Sequence, residues 1–103
     1  MAKRLIFAVQ SPLGYQVRLD RNRWRLIVRY KHPAMDGREK LVRECIAHPT
    51  AICQSESDSD VRLHYRSIDG QFACVVTAPA ASPDARIVVT AYFTKKIKKG
   101  REL

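Results

Sequence analysis

Two strand-like segments flank Asp69-Gly70, and this arrangement limits the fold more than any other feature of the chain. Residues 61–68 place Val, Leu and Tyr between Arg, His and Arg, and in residues 71–78 a strand would set Phe72, Cys74 and Val76 against Ala73, Val75 and Thr77. Alternation with a period of two predicts β-strands, and Asp-Gly is a preferred two-residue hairpin turn. A third alternating segment follows at 86–94. Together the three segments predict an antiparallel β-meander.

The third segment is the most regular of the three. Strict alternation would place Ile87, Val89, Ala91 and Phe93 on one face and Val88, Thr90, Tyr92 and Thr94 on the other. The second face would then present a row of hydroxyl groups. Residues 95–103 follow directly and contain four lysines and an arginine. We therefore expect a basic C-terminal tail beside the hydroxyl row, an arrangement that suits a phosphodiester.

The N-terminal part of the chain predicts a hairpin and then a helix. Residues 4–10 and 15–19 fit two strands, and the turn at 11–14 contains the Pro and Gly that turn dihedrals favour. Residues 21–31 also alternate partly as a strand would, but they carry a helical apolar stripe. Asp20 is a good N-cap residue and favours the helix.

Pro33 is expected to end the first helix, because the residue before a proline avoids the α region. A second helix is predicted after it. Asp36 is expected to cap it, and Pro49 follows its end. Its apolar stripe comprises Leu41, Val42, Cys45 and Ile46. Residues 51–54 are expected to form a short extended link to a polar loop.

The predicted elements define the fold class. At 103 residues the chain is long enough for one domain with one modest core. We expect an α+β fold in which an N-terminal hairpin and two helices pack on the antiparallel meander. We expect residues 1–103 to form a single domain.

The net charge of +9 indicates an anionic partner, unless it is only a solvated surface. Residues 1–43 hold eleven Lys or Arg and three acids, and residues 61–103 hold eight and three. Residues 44–60 between them hold four acids and no Lys or Arg. Asp58 and Asp60 in this segment lack the glycine turn and distal glutamate of an EF-hand-type calcium site. The charge makes nucleic acid, and RNA in particular, the first partner to test.

The cysteines and the apolar segments limit the other classes of function. Cys45, Cys53 and Cys74 include no Cys-x-x-Cys pair, which argues against a zinc knuckle and a disulfide framework. Cys45 and Cys74 are expected to be core thiols. The sequence contains no apolar run of membrane-spanning length, and because the hydrophobic region near its N-terminus is short we expect no secretory signal. We expect a cytoplasmic protein with no metal, no small-molecule cofactor and no membrane partner.

An ordered series of short motifs connects the chain to a known family. The series is His32-Pro33, Gly37-Arg38-Glu39, His48-Pro49, Tyr65-Arg66, Cys74-Val75-Val76, Thr90-Ala91-Tyr92-Phe93-Thr94 and Ile97-Lys98-Lys99-Gly100. It resembles the small phage- and mobile-element-associated domains grouped with the barnase, EndoU, colicin and RelE-like nucleases, over residues 18–100. The resemblance implies a RelE/barnase-like fold with helices first and an antiparallel sheet after them. It also implies metal-independent RNA cleavage on one sheet face, often by toxins or effectors.

Such cleavage needs a base for the 2′-hydroxyl, an acid for the leaving 5′-oxygen, and donors for the charge on the phosphorane. His32 is the first candidate for base or acid, because imidazole titrates near neutral pH. Its alternative is a surface or helix-capping histidine. His64 is the second candidate, on the same predicted face as Arg62 and Arg66. Arg66 can hold a phosphate with two parallel hydrogen bonds.

Thr90 and Tyr92 complete the predicted catalytic set, since they share a face and converge with Arg66 if their strands are neighbours. Thr90 would donate to a phosphate oxygen, and Tyr92 would donate likewise or stack on a base. The alternative is that Tyr92 is only a half-buried strand aromatic. Predicted phosphate contacts are Arg62, Lys95, Lys96, Lys98, Lys99 and Arg101, unless the tail is only solvated.

The sequence therefore predicts a metal-independent endoribonuclease, acting as a toxin or as the effector of a mobile element. One alternative is a noncatalytic nucleic-acid-binding module on the same fold, with salt-sensitive binding and no strand scission. Another is a toxin-like protein whose basic face docks an acidic antitoxin or inhibitor, which is compatible with the first.

Overall fold

The computed structural model describes residues 5–82, 84–97 and 100–103. The described residues form seven strands and two α-helices, which confirms the α+β class. The strands are β1 (Leu5–Gln10), β2 (Gln16–Asp20), β3 (Ala51–Ser55), β4 (Arg62–Ile68), β5 (Gln71–Pro79), β6 (Ala85–Thr94) and β7 (Gly100–Glu102). The helical elements are α1 (Arg21–Leu26), its π-helical continuation (Ile27–Lys31), a 3₁₀ turn (Pro33–Met35) and α2 (Glu39–Ala47).

The strands form one mixed sheet in the order β1-β2-β6-β5-β4-β3-β7. The predicted meander of β4, β5 and β6 is confirmed, and so is the N-terminal hairpin of β1 and β2. The hairpin does not lie apart from the meander, because β2 pairs in parallel with β6. A parallel pair needs a long crossover connection, which the helices and the intervening strands supply.

The turn between β4 and β5 has the geometry that Asp-Gly predicts. Asp69 and Gly70 have φ angles of +48° and +79°, as a type I′ turn requires. Ile68 pairs with Gln71 directly across the turn. This turn fixes the register of the central strands, and hence the side chains that share each face of the sheet.

A β-bulge in β6 breaks the strict alternation that the sequence predicted. Val88 pairs with Thr77 and Thr90 pairs with Val76, so Val89 is an extra residue in its strand. Because side chains alternate between the two faces of a sheet, one extra residue moves every later side chain of the strand to the face opposite the one that strict alternation predicts. Val88 therefore faces the helices on the same side as Ala91, and not with Thr90 as expected.

Most of the core lies between the helices and one face of the sheet, called here the helix-covered face. Its buried members include Val17, Leu19, Trp24, Ile27, Met35, Val42, Cys45, Ile46, Val75 and Val88. The predicted stripe of α2 is confirmed, with Leu41 only partly buried. A smaller cluster of Cys53, Leu63, Tyr65 and Cys74 lies on the opposite face. Cys45 and Cys74 are buried thiols, as predicted.

Two local predictions were wrong and a third was incomplete. The second helix begins at Glu39, because Asp36 is extended at φ −57°, ψ 130° and Gly37 follows at φ +77°. Residues 51–54 are extended, as predicted, but they belong to β3, which pairs with β4, and do not form a simple link. Part of the predicted tail forms β7, which pairs with β3 and extends the sheet.

The predicted cap of the first helix is confirmed. Asp20 accepts a hydrogen bond from the backbone N–H of Arg23 at 2.8 Å. Replacing Asp20 with alanine removes this acceptor and should lower the free energy of unfolding by about 1 kcal/mol. Urea denaturation measures the change, and Asp20→Asn is the matched control because asparagine also caps helices. An alanine variant as stable as the wild type would contradict the capping role.

Candidate nucleic-acid interface

The structure separates Arg66 from the rest of the predicted catalytic set. Arg66 of β4 pairs with Ala73 of β5, and Ala73 pairs with Phe93 of β6, so these residues form one row across the sheet. Tyr92 pairs with Cys74 and lies in the adjacent row. Adjacent rows point to opposite faces of a sheet, so Arg66 and Tyr92 lie on different faces. Arg66 instead donates a hydrogen bond to the carbonyl of His48, after the end of α2. The expected convergence of Arg66 with Thr90 and Tyr92 is wrong.

His32 and Tyr92 do come together. Their ring centroids are 5.3 Å apart with 35° between the ring planes. His32 follows the π-helical continuation of α1, and its backbone N–H donates to the carbonyl of Ile27 at 2.7 Å. This bond holds the half-buried histidine at the end of the helix, beside β6. An imidazole and a phenol thus share one small region of the molecule.

Tyr92 keeps its proton at neutral pH. Burial raises the pKa of Tyr92 above its ordinary range, and a hydrogen bond with Cys74 raises it further. Thr90 lies on the same face two residues earlier, and its Oγ1 is buried without a hydrogen-bond partner in the part of the chain that the structure describes. His32, Tyr92 and Thr90 are called here the His32 cluster.

His64, the second predicted acid or base, is fully buried and cannot contact an RNA in this structure. The hydroxyl of Tyr15 and Nε2 of His64 are 2.7 Å apart, and Nδ1 lies 3.2 Å from the carbonyl of Val75. A neutral imidazole satisfies both contacts when Nδ1–H donates to the carbonyl and Nε2 accepts from the hydroxyl. Burial lowers the pKa of His64 to about 4, with Arg86 and Arg62 also lowering it. His64 therefore has the environment of a structural residue.

Arg62, a predicted phosphate contact, also belongs to this buried network. The guanidinium carbon of Arg62 lies 4.9 Å from the ring centroid of Tyr15, and that of Arg86 lies 5.3 Å from it. Arg86 also donates to the hydroxyl of Thr77 at 2.9 Å and to the carbonyl of Asp60. The network of Tyr15, His64 and Arg86 was not predicted. In the sequence, the only trace of this network is that polar residues occupy strand positions, and in the structure these positions are buried.

The helix α1 and its continuation carry the most regular cationic surface. Arg21, Arg25 and Arg29 are spaced four residues apart, are all exposed, and line one side of the helix. Tyr30 is 72% exposed, and the guanidinium of Arg29 lies 5.9 Å from the centroid of its ring. These four residues are called here the arginine face. Sequence reasoning predicted the helix but missed this surface, although the four-residue spacing was present.

The predicted C-terminal phosphate contacts are only partly described. Lys95, Lys96 and Arg101 are exposed, and Arg101 lies in β7. Lys98 and Lys99 lie outside the described residues. Contact of these side chains with phosphates stays a prediction.

Comparisons with known proteins add no assignment. No protein-family model, curated protein or solved structure matches this chain. Within the described ranges, three or more His, Cys, Asp or Glu side chains nowhere gather as a metal site would require. None of the described helices has the length and apolar character needed to span a membrane.

Proposed function

We propose that this protein binds RNA through the arginine face. The observation that carries the proposal is the row of three exposed arginines, one helical turn apart, beside an exposed tyrosine. Arginine recognises phosphate oxygens with paired hydrogen bonds, and an exposed aromatic ring stacks on an unpaired base. The net charge of +9 adds long-range attraction for a polyanion.

Removing Arg25 should weaken binding to a single-stranded RNA and reduce its salt dependence. Each lost phosphate contact lowers the slope of log K against log salt by about 0.7 for single strands. Tyr30→Ala should weaken binding by about 1–3 kcal/mol without changing that slope, because stacking releases no counterions. Fluorescence anisotropy at several salt concentrations measures both effects.

Arg43, exposed on α2, provides the matched control. Arg43→Ala removes the same charge from another surface, so it should change affinity less than Arg25→Ala does. Equal losses in the two variants would show that only net charge matters. The arginine face would then be a solvated surface and not an RNA site.

A second candidate function is RNA cleavage at the His32 cluster. The observation that favours it is the contact between an imidazole and a protonated phenol at the end of the arginine-bearing helix. His32 would take the proton of the 2′-hydroxyl or supply one to the leaving oxygen, and Tyr92 would donate to the phosphate. Arg66 and His64 take no part in this proposed reaction.

An acidic antitoxin or inhibitor would be attracted to the arginines of the arginine face by complementary charge.

A further inference from the structure

The three arginines of the arginine face also line a cleft of about 440 Å³. Ile6, Trp24 and Val28 contribute apolar surface to it, and Arg21, Arg25 and Arg29 contribute charge. Asp36 and Glu39, from the start of the α2 region, contribute two carboxylates. Its volume is within the roughly 300–1,000 Å³ typical of small-molecule sites. The cleft can therefore hold a ligand that is flat and apolar in one part and anionic in another.

The two carboxylates restrict which ligand fits. An ionised carboxylate only accepts hydrogen bonds, so Asp36 and Glu39 select a molecular edge that donates them. Guanine presents a ring N–H beside an amino group, which can give two parallel bonds to one carboxylate. Adenine and cytosine present an amino group beside a ring acceptor. Uracil presents one N–H between two carbonyl oxygens, and a carboxylate repels these two oxygens.

We propose that the cleft holds one unstacked nucleotide of a bound RNA and prefers guanine to uracil. The base would lie against Trp24 and Val28 with its donor edge at the carboxylates, and its phosphate would lie at the arginines. The donor edge that would meet the carboxylates is the same edge that guanine uses for base pairing, so the bound nucleotide is unpaired and the strand is single-stranded at this point. This inference rests on the proposed function, because the same arginines serve both.

Trp24 provides a direct readout, because it is the single tryptophan of the chain and lines the cleft. The experiment titrates the full chain with guanosine 5′-monophosphate and with uridine 5′-monophosphate, and follows tryptophan fluorescence. We expect saturable quenching, with about tenfold weaker binding of the uridine nucleotide, since a well-placed bidentate contact discriminates by about 1–3 kcal/mol. Glu39→Gln and Asp36→Asn should bring the two affinities together.

Glu44→Gln, on α2 but not among the residues that line the cleft, is the matched control and should keep the preference. Single-stranded RNA binding, measured in parallel, separates the two proposals. RNA binding that depends on Arg25, together with equal affinities for the two nucleotides, overturns the cleft inference and leaves the proposed function standing. A preference that survives both carboxylate changes also overturns the inference. Failure of the wild type to bind any RNA overturns both.

Discussion

The folded protein should lose roughly 3 kcal/mol of stability between pH 6.5 and pH 4 because of His64 alone. Burial lowers the pKa of His64 from 6.5 to about 4. Each pKa unit corresponds to about 1.4 kcal/mol of differential stability. The imidazole has no exposed surface, and its two nitrogens already contact Tyr15 and Val75. A proton on Nε2 would abolish the acceptor that the hydroxyl of Tyr15 uses.

The sign follows from which state binds the proton. Between pH 6.5 and pH 4 the histidine is protonated in the unfolded chain and neutral in the folded chain, so unfolding takes up a proton. Stability therefore falls as the pH falls through this window. Above pH 6.5 the imidazole is neutral in both states and contributes no pH dependence. Below about pH 4 both states are protonated and the loss is complete.

Urea denaturation at a series of pH values measures this effect, and two variants isolate it from the titration of carboxylates. His64→Gln should lower stability at neutral pH, because a buried partner of Tyr15 and Val75 is replaced, but should remove the His64 contribution to the pH slope. Tyr15→Phe should keep the slope, since His64 stays buried. A wild type and a His64→Gln variant with identical pH profiles would contradict the buried, neutral histidine.

The features that the sequence predicted correctly are those set by neighbouring residues. The turn at Asp69-Gly70, the Asp20 cap and the apolar stripe of α2 each depend on a few consecutive positions. Local backbone preferences and side-chain periodicity decide such features, and tertiary contacts leave them in place.

The features that were missed depend on residues far apart in the chain. The bulge at Val89 arises from pairing with β5, and nothing in 86–94 marks it. The parallel pairing of β2 with β6 joins segments about seventy residues apart, for example Val17 with Arg86. Such non-local pairing leaves no local pattern.

The predicted site failed for a related reason. Alternation in β4 showed that Tyr65 and His64 face opposite ways, but the sheet buries both faces at this point. The face of β4 that carries His64 is therefore covered and does not face solvent, and His64 is part of a buried hydrogen-bond network. His32 and Tyr92 could be chosen as candidates from the motifs, but their contact depends on how the helix end meets β6.

Replacing His32 with alanine should lower the rate of RNA cleavage by about 10²–10⁴-fold, if the His32 cluster is catalytic. The assay incubates the protein with a mixed-sequence RNA in EDTA, since the proposed route uses the 2′-hydroxyl and no metal. Tyr92→Phe removes the phenolic donor but keeps the ring beside His32, so it should lower the rate less than loss of the imidazole. An RNA with a 2′-deoxy nucleotide at the cleaved position should resist cleavage completely.

The matched control is His48→Ala, which removes an exposed histidine after the end of α2. His48→Ala should cleave at the wild-type rate, and His32→Ala should still bind RNA through the arginine face with unchanged salt dependence. Binding without cleavage in His32→Ala alone then assigns the chemistry to the imidazole, since neither the fold nor the RNA contacts have changed. Full cleavage by His32→Ala would remove His32 from the mechanism. Salt-sensitive binding by a wild type that never cleaves would leave the arginine face as the functional surface, and the contact with Tyr92 as a structural one.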